Sequence, residues 1–267
     1  MVRRHSRRRN NTVATGGGII LILVALVGFG GVAYLYWNAS QSPGIDEATL
    51  CPKAGVTGHL AILVDTTDPL TLTHLQSARQ IIEDKLNKAP VGTRISFSTV
   101  SPDSGVRGSA FFSICKPPSG KDVSQLTQNP TLVEAKFQQE FLAPVAAALD
   151  SLLVIPEAKS SPIMEALQEF ASAIPGFTLT TVPREVVMMS DLLQHSPVFS
   201  FYRNGTWQSF KADNGPERFG FAFEGAEVTV LRMPRSVDKT KIVDDFWVRY
   251  FDAKGFARVH VRRIGDL

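Results

Sequence analysis

The chain of 267 residues lacks the motifs of several common classes of enzyme. It has no glycine-rich loop that could hold a phosphate and no Gly-x-Ser-x-Gly motif that could position a nucleophilic serine. Its five histidines form no metal-spaced pair with one another or with a cysteine, which argues against a zinc site. We therefore predict no catalytic residue and expect that the protein is not an enzyme.

An excess of charge of one sign is confined to the N-terminus. The formal net charge is +3, but five arginines lie within the first nine residues. The remainder of the chain is close to neutral, and a near-neutral domain offers no electrostatic footprint for nucleic acid. We predict that the protein has no nucleic-acid partner.

Charged residues are absent from Asn10 to Ile45. Within this window, residues 16–37 are 22 glycine, aliphatic and aromatic residues, and roughly 20 apolar residues in a helix suffice to cross a bilayer. The arginines before this stretch place the N-terminus in the cytoplasm by the positive-inside rule. We predict a single-pass protein of the cell (inner) membrane whose remaining chain is periplasmic or otherwise extracytoplasmic. The alternative is a cleaved signal peptide, although the apolar stretch is long for one.

On this interpretation the chain divides into four segments. Residues 1–15 form a basic cytoplasmic tail, residues 16–37 the transmembrane helix and residues 38–57 a linker that contains Ser-Pro-Gly. Residues 58–267 form the folded domain, which begins with the first apolar run that follows the linker.

Cysteine is rare, with only Cys51 and Cys115 in the whole chain. If the domain lies outside the cytoplasm, both thiols are in an oxidising compartment, where disulfides form and persist. We expect a disulfide between them, and the alternative is two free buried thiols.

The stretch from Leu60 to Pro69 combines five consecutive apolar residues with a cluster of oxygen-bearing side chains. An unbroken apolar run predicts a strand that is buried on both faces, as in a parallel sheet. The polar residues 65–68 would then lie at the carboxyl end of this strand, where open α/β sheets bind their ligands. Apolar residues at helical spacing predict a helix over residues 72–86.

The rest of the domain alternates between strand and helix patterns. Pro, Gly and Asp in residues 101–108 predict a hairpin loop, so that the strand after it is antiparallel to the strand before it. Alternation of this kind indicates an α/β fold, a three-layer doubly wound and mostly parallel sheet with one antiparallel strand. Strands are predicted at 94–100, 109–115, 185–189, 227–232 and 258–264, and helices at 131–154 (interrupted near Pro144), 162–173 and 237–253.

Two helices carry further signals. Ser160 and Ser161 precede Pro162, and a hydroxyl followed by proline is typical of a helix N-cap and first turn. In the helix at 237–253, an aromatic stripe of Phe246, Trp247, Tyr250 and Phe251 predicts a core-facing side. We expect Lys254 on the opposite, solvated side.

The order of elements over roughly residues 58–266 resembles that of von Willebrand factor A (vWA) domains. Such domains begin with a buried strand that ends in Asp-x-Ser-x-Ser, followed by a helix, a hairpin with one antiparallel strand and later metal-binding loops. The resemblance implies a metal-ion-dependent adhesion site, in which oxygen ligands hold one Mg²⁺ that accepts a carboxylate from a partner protein.

The resemblance assigns candidate ligands for Mg²⁺. Asp65 matches the leading aspartate, Thr67 the first hydroxyl, Ser161 the family's separate threonine and Asp191 the later acidic position. Pro69 stands at the second hydroxyl position and supplies no oxygen, so the site is partly degenerate.

The implied function is protein–protein interaction or the assembly of an envelope complex, with a protein partner of unknown identity. The surface expected to contact this partner consists of Asp65, Thr66, Asp68, Ser160 and Asp191. Two alternatives stay open. Asp65-Thr66-Thr67 also resembles the start of haloacid-dehalogenase-type phosphotransferases, which would make the protein an envelope hydrolase or phosphatase with Asp65 as nucleophile. Alternatively, the domain is purely structural.

The topology can be tested with a phosphatase reporter fused after Leu267. Because the N-terminal arginines favour a cytoplasmic N-terminus, the segment at 16–37 should place Leu267 on the other side of the membrane. The fused phosphatase should then be active only outside the cytoplasm. A matched fusion that begins at Gln41 lacks the apolar segment and should stay inside. Activity of the full-length fusion in the cytoplasm alone would contradict the predicted topology.

Overall fold

A computed structural model of the chain describes residues 12–40, 44–100, 111–126, 128–152, 158–178, 180–220, 222–233 and 240–264. The chain separates into two compact units, Met1–Gly44 and Ile45–Leu267. The predicted hairpin loop at 101–108 lies outside the described residues.

In the first unit, the described residues form the helix α1 (Thr12–Ser40). Large apolar side chains within it, such as Val27 and Phe29, are exposed. Among the helices formed by described residues, none is both long and apolar enough to cross a membrane. The transmembrane segment at 16–37 therefore stays a prediction from the sequence.

The second unit is built on a six-stranded sheet in the order β3-β2-β1-β4-β5-β6. Strand β3 runs antiparallel to β2, and the other neighbouring pairs are parallel. The prediction of a mostly parallel sheet with one antiparallel strand is thus confirmed, and the arrangement fits a Rossmann-like fold. The strands are β1 (Gly58–Asp65), β2 (Thr93–Val100), β3 (Phe112–Cys115), β4 (Arg184–Ser190), β5 (Glu227–Arg232) and β6 (Arg258–Arg263).

Every residue of β1 is buried, as the apolar run predicts. Side chains alternate along the strand, so that Ala61 and Leu63 join one hydrophobic cluster whereas Ile62 and Val64 join the other. The first cluster includes residues of the helices at Ile163–Ala173 and Thr240–Ala253, and the second includes residues of the helices at Leu72–Lys88 and Ala143–Leu152. The helices are α2 (Leu72–Lys88), α3 (Pro130–Lys136), α4 (Ala143–Leu152), α5 (Ile163–Ala173), α6 (Trp207–Ala212), α7 (Gly215–Arg218) and α8 (Thr240–Ala253).

The interruption predicted near Pro144 is a π-helical turn at Phe137–Leu142, between α3 and α4. Proline has no N–H to give to the carbonyl four residues before it, and its ring crowds that carbonyl. The helix is wider just before Pro144, because the amide of Ala143 donates to the carbonyl of Gln138, five residues earlier in the chain.

The segment between β4 and β5 contains elements that the apolar pattern did not predict. A 3₁₀ turn (Phe201–Arg203) and the short helices α6 and α7 pack aromatic side chains against α8. The rings of Phe199 and Phe246 stack with their centroids 4.5 Å apart. The four aromatic residues of the α8 stripe are buried, which confirms that the stripe faces the core.

The prediction that Lys254 lies on a solvated side is wrong. Its side chain is buried, and its ammonium group donates hydrogen bonds to the carbonyls of Pro216 and Phe219. These carbonyls lie at the C-terminal end of α7, where the last carbonyls of a helix have no intrahelical donor and a cation is favoured.

The predicted disulfide between Cys51 and Cys115 is present. It joins the segment before β1 to the last residue of β3, and the amide of Cys115 also donates to the carbonyl of Thr49, at 2.8 Å. The two cysteines are 64 residues apart, so the loop-entropy model gives about 4 kcal/mol of stabilisation.

His59 is a buried titratable group near the start of β1. Its ring packs edge-on against Phe177 with centroids 5.4 Å apart, and neither ring nitrogen has a hydrogen-bond partner among the described residues. Burial, reinforced by the charges of Arg94 and Arg184, lowers the pKa of His59 to about 4.

We expect His59 to make folding sensitive to acid. Its folded-state pKa lies below the ordinary value of 6.5, so the unfolded chain binds the proton first. Stability is therefore lost as the pH falls through 6.5, and the loss is complete below about 4, with a total of up to about 3 kcal/mol. The variant His59→Phe should lose this component when urea unfolding is compared at pH 7 and pH 4.

The matched control is His260→Gln, because His260 is exposed on β6. This variant should keep the wild-type dependence on pH. An unchanged pH dependence in His59→Phe would contradict the assignment.

Candidate functional site

The candidate site lies where the order of strands reverses. From β1 the chain first adds β2 on one side and later adds β4 on the other side. In open α/β sheets, ligands bind in the crevice outside the carboxyl ends of the strands at such a switch point. Asp65 ends β1 and Ser190 ends β4, so both belong to this edge.

The Asp65 carboxylate accepts four hydrogen bonds. Its Oδ1 accepts from the hydroxyl of Thr67 at 2.6 Å and from the amide of Thr67 at 3.2 Å. Its Oδ2 accepts from the hydroxyl of Ser190 at 2.7 Å and from that of Ser161 at 3.2 Å. We call Asp65, Thr67, Ser161 and Ser190 the hydroxyl cluster. It joins three segments that are distant in sequence around one carboxylate.

The electrostatics of the cluster are those of a buried anion among neutral donors. Asp65 is 4% exposed, and burial raises the pKa of its carboxyl above the ordinary value. The hydrogen bonds from Thr67, Ser190 and Ser161 act in the opposite direction but do not cancel the effect of burial. Because buried carboxylates are usually paired with a cation or coordinate a metal, this site favours a proton or a bound cation.

The loop before α5 is tied to the cluster through its backbone. The amide of Ala158 donates to the carbonyl of Thr67 at 2.9 Å. Ser161 and His195 exchange two backbone hydrogen bonds, of 2.9 and 2.8 Å. Ser161 is therefore fixed between the loop after β1 and the loop after β4.

The predicted hydroxyl N-cap at Ser160 and Ser161 is wrong. The N-cap residue of α5 is Pro162, and no side chain of that residue caps the helix. The Ser161 hydroxyl instead donates to Asp65, and the side-chain carbonyl of Gln194 accepts from the amide of Met164 at 2.9 Å. Gln194, which is distant in sequence, thus accepts a hydrogen bond from a backbone N–H of the first turn of α5.

Three of the four candidate ligands are joined by hydrogen bonds in the structure, because Thr67 and Ser161 both donate to Asp65. Asp191 is buried next to Ser190 in the chain, but its Oδ1 accepts from the amide of Leu193 at 2.8 Å. The hydroxyl that reaches Asp65 from β4 belongs to Ser190.

Ser190 is the site residue that the sequence reasoning missed. Val64 of β1 is paired with Met189 of β4 in the sheet register, so the next residues along the two strands, Asp65 and Ser190, are also neighbours. The signal was available in the sequence, because aligning the carboxyl ends of the two apolar runs would have placed Ser190 beside Asp65.

The predicted partner-contact residues differ in their burial. Thr66 is 4% exposed, and Asp191 is 2% exposed. Asp68 and Ser160 are partly exposed and line a cleft of about 340 Å³ beside the hydroxyl cluster. Other walls of the cleft are formed by Thr67, Lys159, Ser161 and His195.

The loop after β4 holds a strained backbone conformation next to the site. Leu192 has φ +62°, in the left-handed region that non-glycine residues rarely adopt. Its amide donates to the Ser190 hydroxyl, and its carbonyl accepts from the indole of Trp247, both at 2.8 Å. Strain of this kind is often concentrated at functional sites, where the surrounding contacts maintain it.

A scan of the chain against protein-family models gives no match, and a search among curated proteins gives none either.

The hydroxyl cluster supplies an oxygen-only set of donors. One carboxylate and three hydroxyls suit a hard cation such as Mg²⁺, which prefers oxygen and keeps several waters. Across the described part of the chain, no group of three or more His, Cys, Asp or Glu side chains could hold a metal ion. A cation here would therefore depend on Asp65 as its main charged ligand and on hydroxyl oxygens as the others.

We expect the two serine hydroxyls to stabilise the fold through Asp65. Ser190→Ala and Ser161→Ala each leave a buried carboxylate with one donor fewer, which should lower the free energy of unfolding by about 1–3 kcal/mol. The loss should be larger for Ser190, because its hydrogen bond is shorter. Denaturant unfolding at neutral pH measures both losses.

Ser172→Ala provides the control, because Ser172 is exposed on α5 and donates only to a local carbonyl. If Ser190→Ala were no more destabilising than Ser172→Ala, the hydroxyl cluster would not be a stabilising unit.

Proposed function

We propose that the protein is a membrane-anchored, extracytoplasmic vWA-like domain that mediates protein–protein interaction or the assembly of an envelope complex. The observation that carries this proposal is the hydroxyl cluster. It places a buried carboxylate and three converging hydroxyls at the switch point of the sheet, beside an open cleft.

Mg²⁺ is the proposed cofactor of this surface. Asp65, Thr67, Ser161 and Asp191 are the ligands that the resemblance assigns, and we add Ser190 to them. A bound Mg²⁺ would supply a positive charge that can accept a carboxylate from the partner. The residues themselves hold the oxygens in place, because three separate segments of the chain are hydrogen-bonded to one another there.

Ser190 offers a reason why the degenerate motif need not abolish the site. Pro69 supplies no oxygen at the second hydroxyl position of the motif. Ser190 provides a hydroxyl from β4, with its oxygen 2.7 Å from the Asp65 carboxylate. Together with Thr67 and Ser161, Ser190 gives a cation the same number of hydroxyl groups as the complete motif would supply.

The order of the elements also supports the proposal. A buried first strand is followed by a helix, and the antiparallel strand β3 lies at the edge beside β2, as the vWA resemblance requires. We propose that the sheet with helices packed on both faces is a three-layer doubly wound domain of this kind.

Two observations support the proposed location. The uncharged segment at 16–37, preceded by arginines, is the evidence for an anchor in the inner membrane. The disulfide between Cys51 and Cys115 is typical of an oxidising compartment such as the periplasm.

The alternative of a haloacid-dehalogenase-type hydrolase has less support. A nucleophilic Asp65 would need an oxygen that faces a substrate, but the residue is 4% exposed and is not among the residues that line the cleft. Asp244, one of the acidic residues such an enzyme would need, pairs with the buried Arg232 at 3.0 Å.

The cation is tested by titrating Mn²⁺ into the full-length protein in detergent, followed by electron paramagnetic resonance of the free ion. We expect saturable binding that weakens at least about tenfold in Asp65→Ala, because the variant removes the main charged ligand. Ser190→Ala should weaken binding less.

Asp245→Ala serves as the matched control, since Asp245 is exposed on α8. It should bind Mn²⁺ as the wild type does. Binding that is equal in all variants, or absent from the wild type, would contradict the metal-dependent site and favour a purely structural domain.

A further inference from the structure

The two edge strands of the sheet differ in length and in how far they are covered. Strand β3 has four residues, and the amide of its last residue, Cys115, donates to the carbonyl of Thr49. Strand β6 has six residues, and all of them except Val259 are exposed. Within the described residues, no segment is hydrogen-bonded to β6 on the side away from β5. An open edge of this kind presents unpaired N–H and C=O groups to another strand.

One face of β6 is basic. Arg258, His260 and Arg262 alternate along the strand, so their side chains lie on the same face, and all three residues are exposed. Arg258 pairs with Glu227 of β5 at 3.0 Å and still has 69% of its side chain exposed. Glu227 is the only acidic residue of β5 and β6. It can offset one of these charges, so the row keeps an excess of positive charge.

The opposite face of β6 has an apolar strip beside it. Arg263 of β6 pairs with Asp244 of α8 at 3.5 Å. Because α8 runs back between the parallel strands β5 and β6, one helical turn corresponds to about two residues of the strand. Val248 lies one turn after Asp244, Val261 lies two residues before Arg263, and the two valines are 49% and 48% exposed. The exposed Asp252 lies one turn beyond Val248, which leaves the valines as the strip between two carboxylates.

We propose that β6 binds an extended segment of a partner protein as an additional strand of the sheet, and that acidic and apolar residues alternate in this segment. Its acidic side chains lie opposite Arg258, His260 and Arg262, and its apolar side chains pack over Val248 and Val261. Backbone hydrogen bonds to β6 supply affinity, and the two rows of side chains supply specificity. This inference rests on the proposed function for the existence of a protein partner, and it adds a contact surface that is separate from the hydroxyl cluster.

A second copy of the chain fits this edge poorly. In an antiparallel pairing centred on His260, Arg258 of one copy would lie opposite Arg262 of the other. In a pairing centred on Val261, His260 would lie opposite Arg262, which is again a basic residue. Like charges directly opposite each other destabilise a pair of strands, whereas opposite charges stabilise it. The charge of β6 therefore favours an acidic strand and disfavours self-association.

The test uses three fluorescent, capped peptides with the full-length protein in detergent. The first is Ser-Gly-Glu-Val-Glu-Val-Glu-Gly-Ser, the second has lysine in place of glutamate, and the third has the permuted centre Glu-Glu-Glu-Val-Val. Fluorescence anisotropy should show that the alternating acidic peptide binds about tenfold more tightly than either of the others. The permuted peptide has the same charge but cannot place its three acidic side chains on one face. Equal binding of the two acidic peptides, or no binding of any peptide, would overturn the proposal.

Arg262→Glu should reverse the preference for charge. It should weaken binding of the alternating acidic peptide about fivefold or more and strengthen binding of the lysine peptide, because a cross-strand attraction is replaced by a repulsion. Lys121→Glu is the matched control, since Lys121 is exposed in the segment that follows β3 and the change in net charge is the same. It should leave the order of affinities unchanged. An equal loss in both variants would show that net charge alone attracts the peptide, and would overturn the proposal.

The addition of a strand also has a backbone readout. Binding of the alternating acidic peptide should slow deuterium uptake in the fragment that contains Arg258–Arg263, as measured by mass spectrometry, because amides that point away from β5 gain partners. Binding without slower uptake in this fragment would contradict strand addition. Slow uptake without peptide would also overturn the proposal. If it depended on protein concentration, the occupant would be a second copy, and if it required phosphatidylglycerol nanodiscs, the occupant would be a lipid surface.

This inference and the proposed function fail separately. If Mn²⁺ binding depends on Asp65 but the alternating acidic peptide has no preference, the strand site is refuted and the metal site stands. If the preference is present and Arg262→Glu reverses it while Mn²⁺ does not bind, the strand site stands and the metal-dependent part of the proposed function is refuted.

Discussion

The burial of the Asp65 carboxylate is the constraint on which the rest of the site depends. A carboxylate without water must find hydrogen-bond donors or a cation, because its desolvation would otherwise cost several kcal/mol. Thr67, Ser161 and Ser190 supply those donors from the loop after β1, the loop before α5 and the end of β4. One buried charge therefore fixes three segments at the carboxyl edge of the sheet, and the cleft is the space that remains between them.

The same arrangement supports the proposal that this edge of the sheet binds a cation. Neutral hydroxyls only partly offset the effect of burial, so the pKa of Asp65 stays raised, and either a proton or a cation would stabilise the carboxyl group. The neighbouring loop is held rigidly, since Trp247 of α8 and Ser190 of β4 both bond to the strained residue Leu192. A site with pre-positioned oxygens loses little entropy when it binds a ligand.

The sequence predicted the elements that depend on local pattern. The fully apolar run from Leu60 predicted β1, because a strand buried on both faces requires consecutive apolar residues. The Pro, Gly and Asp residues of the loop predicted the antiparallel strand, because turns favour these residue types. Interactions between distant segments were harder to predict. Ser161 matches a helix N-cap, but a hydrogen bond to Asp65 displaces that local preference. The prediction for Lys254 failed because the carbonyls that bind its ammonium group come from a segment whose short helices have no clear periodicity.

We propose that the hydroxyl cluster is a cation site built around Asp65. The most direct measurement is a crystal structure of the protein soaked in Mn²⁺, with an anomalous difference map at the manganese edge. We expect a peak within roughly 2.0–2.6 Å of a carboxylate oxygen of Asp65 and of the hydroxyl oxygens of Thr67 and Ser161, with these hydroxyls turned from Asp65 towards the ion. An ordered cluster that keeps all its hydrogen bonds to Asp65, with no anomalous peak at saturating Mn²⁺, would show that the hydroxyl cluster is not a cation site.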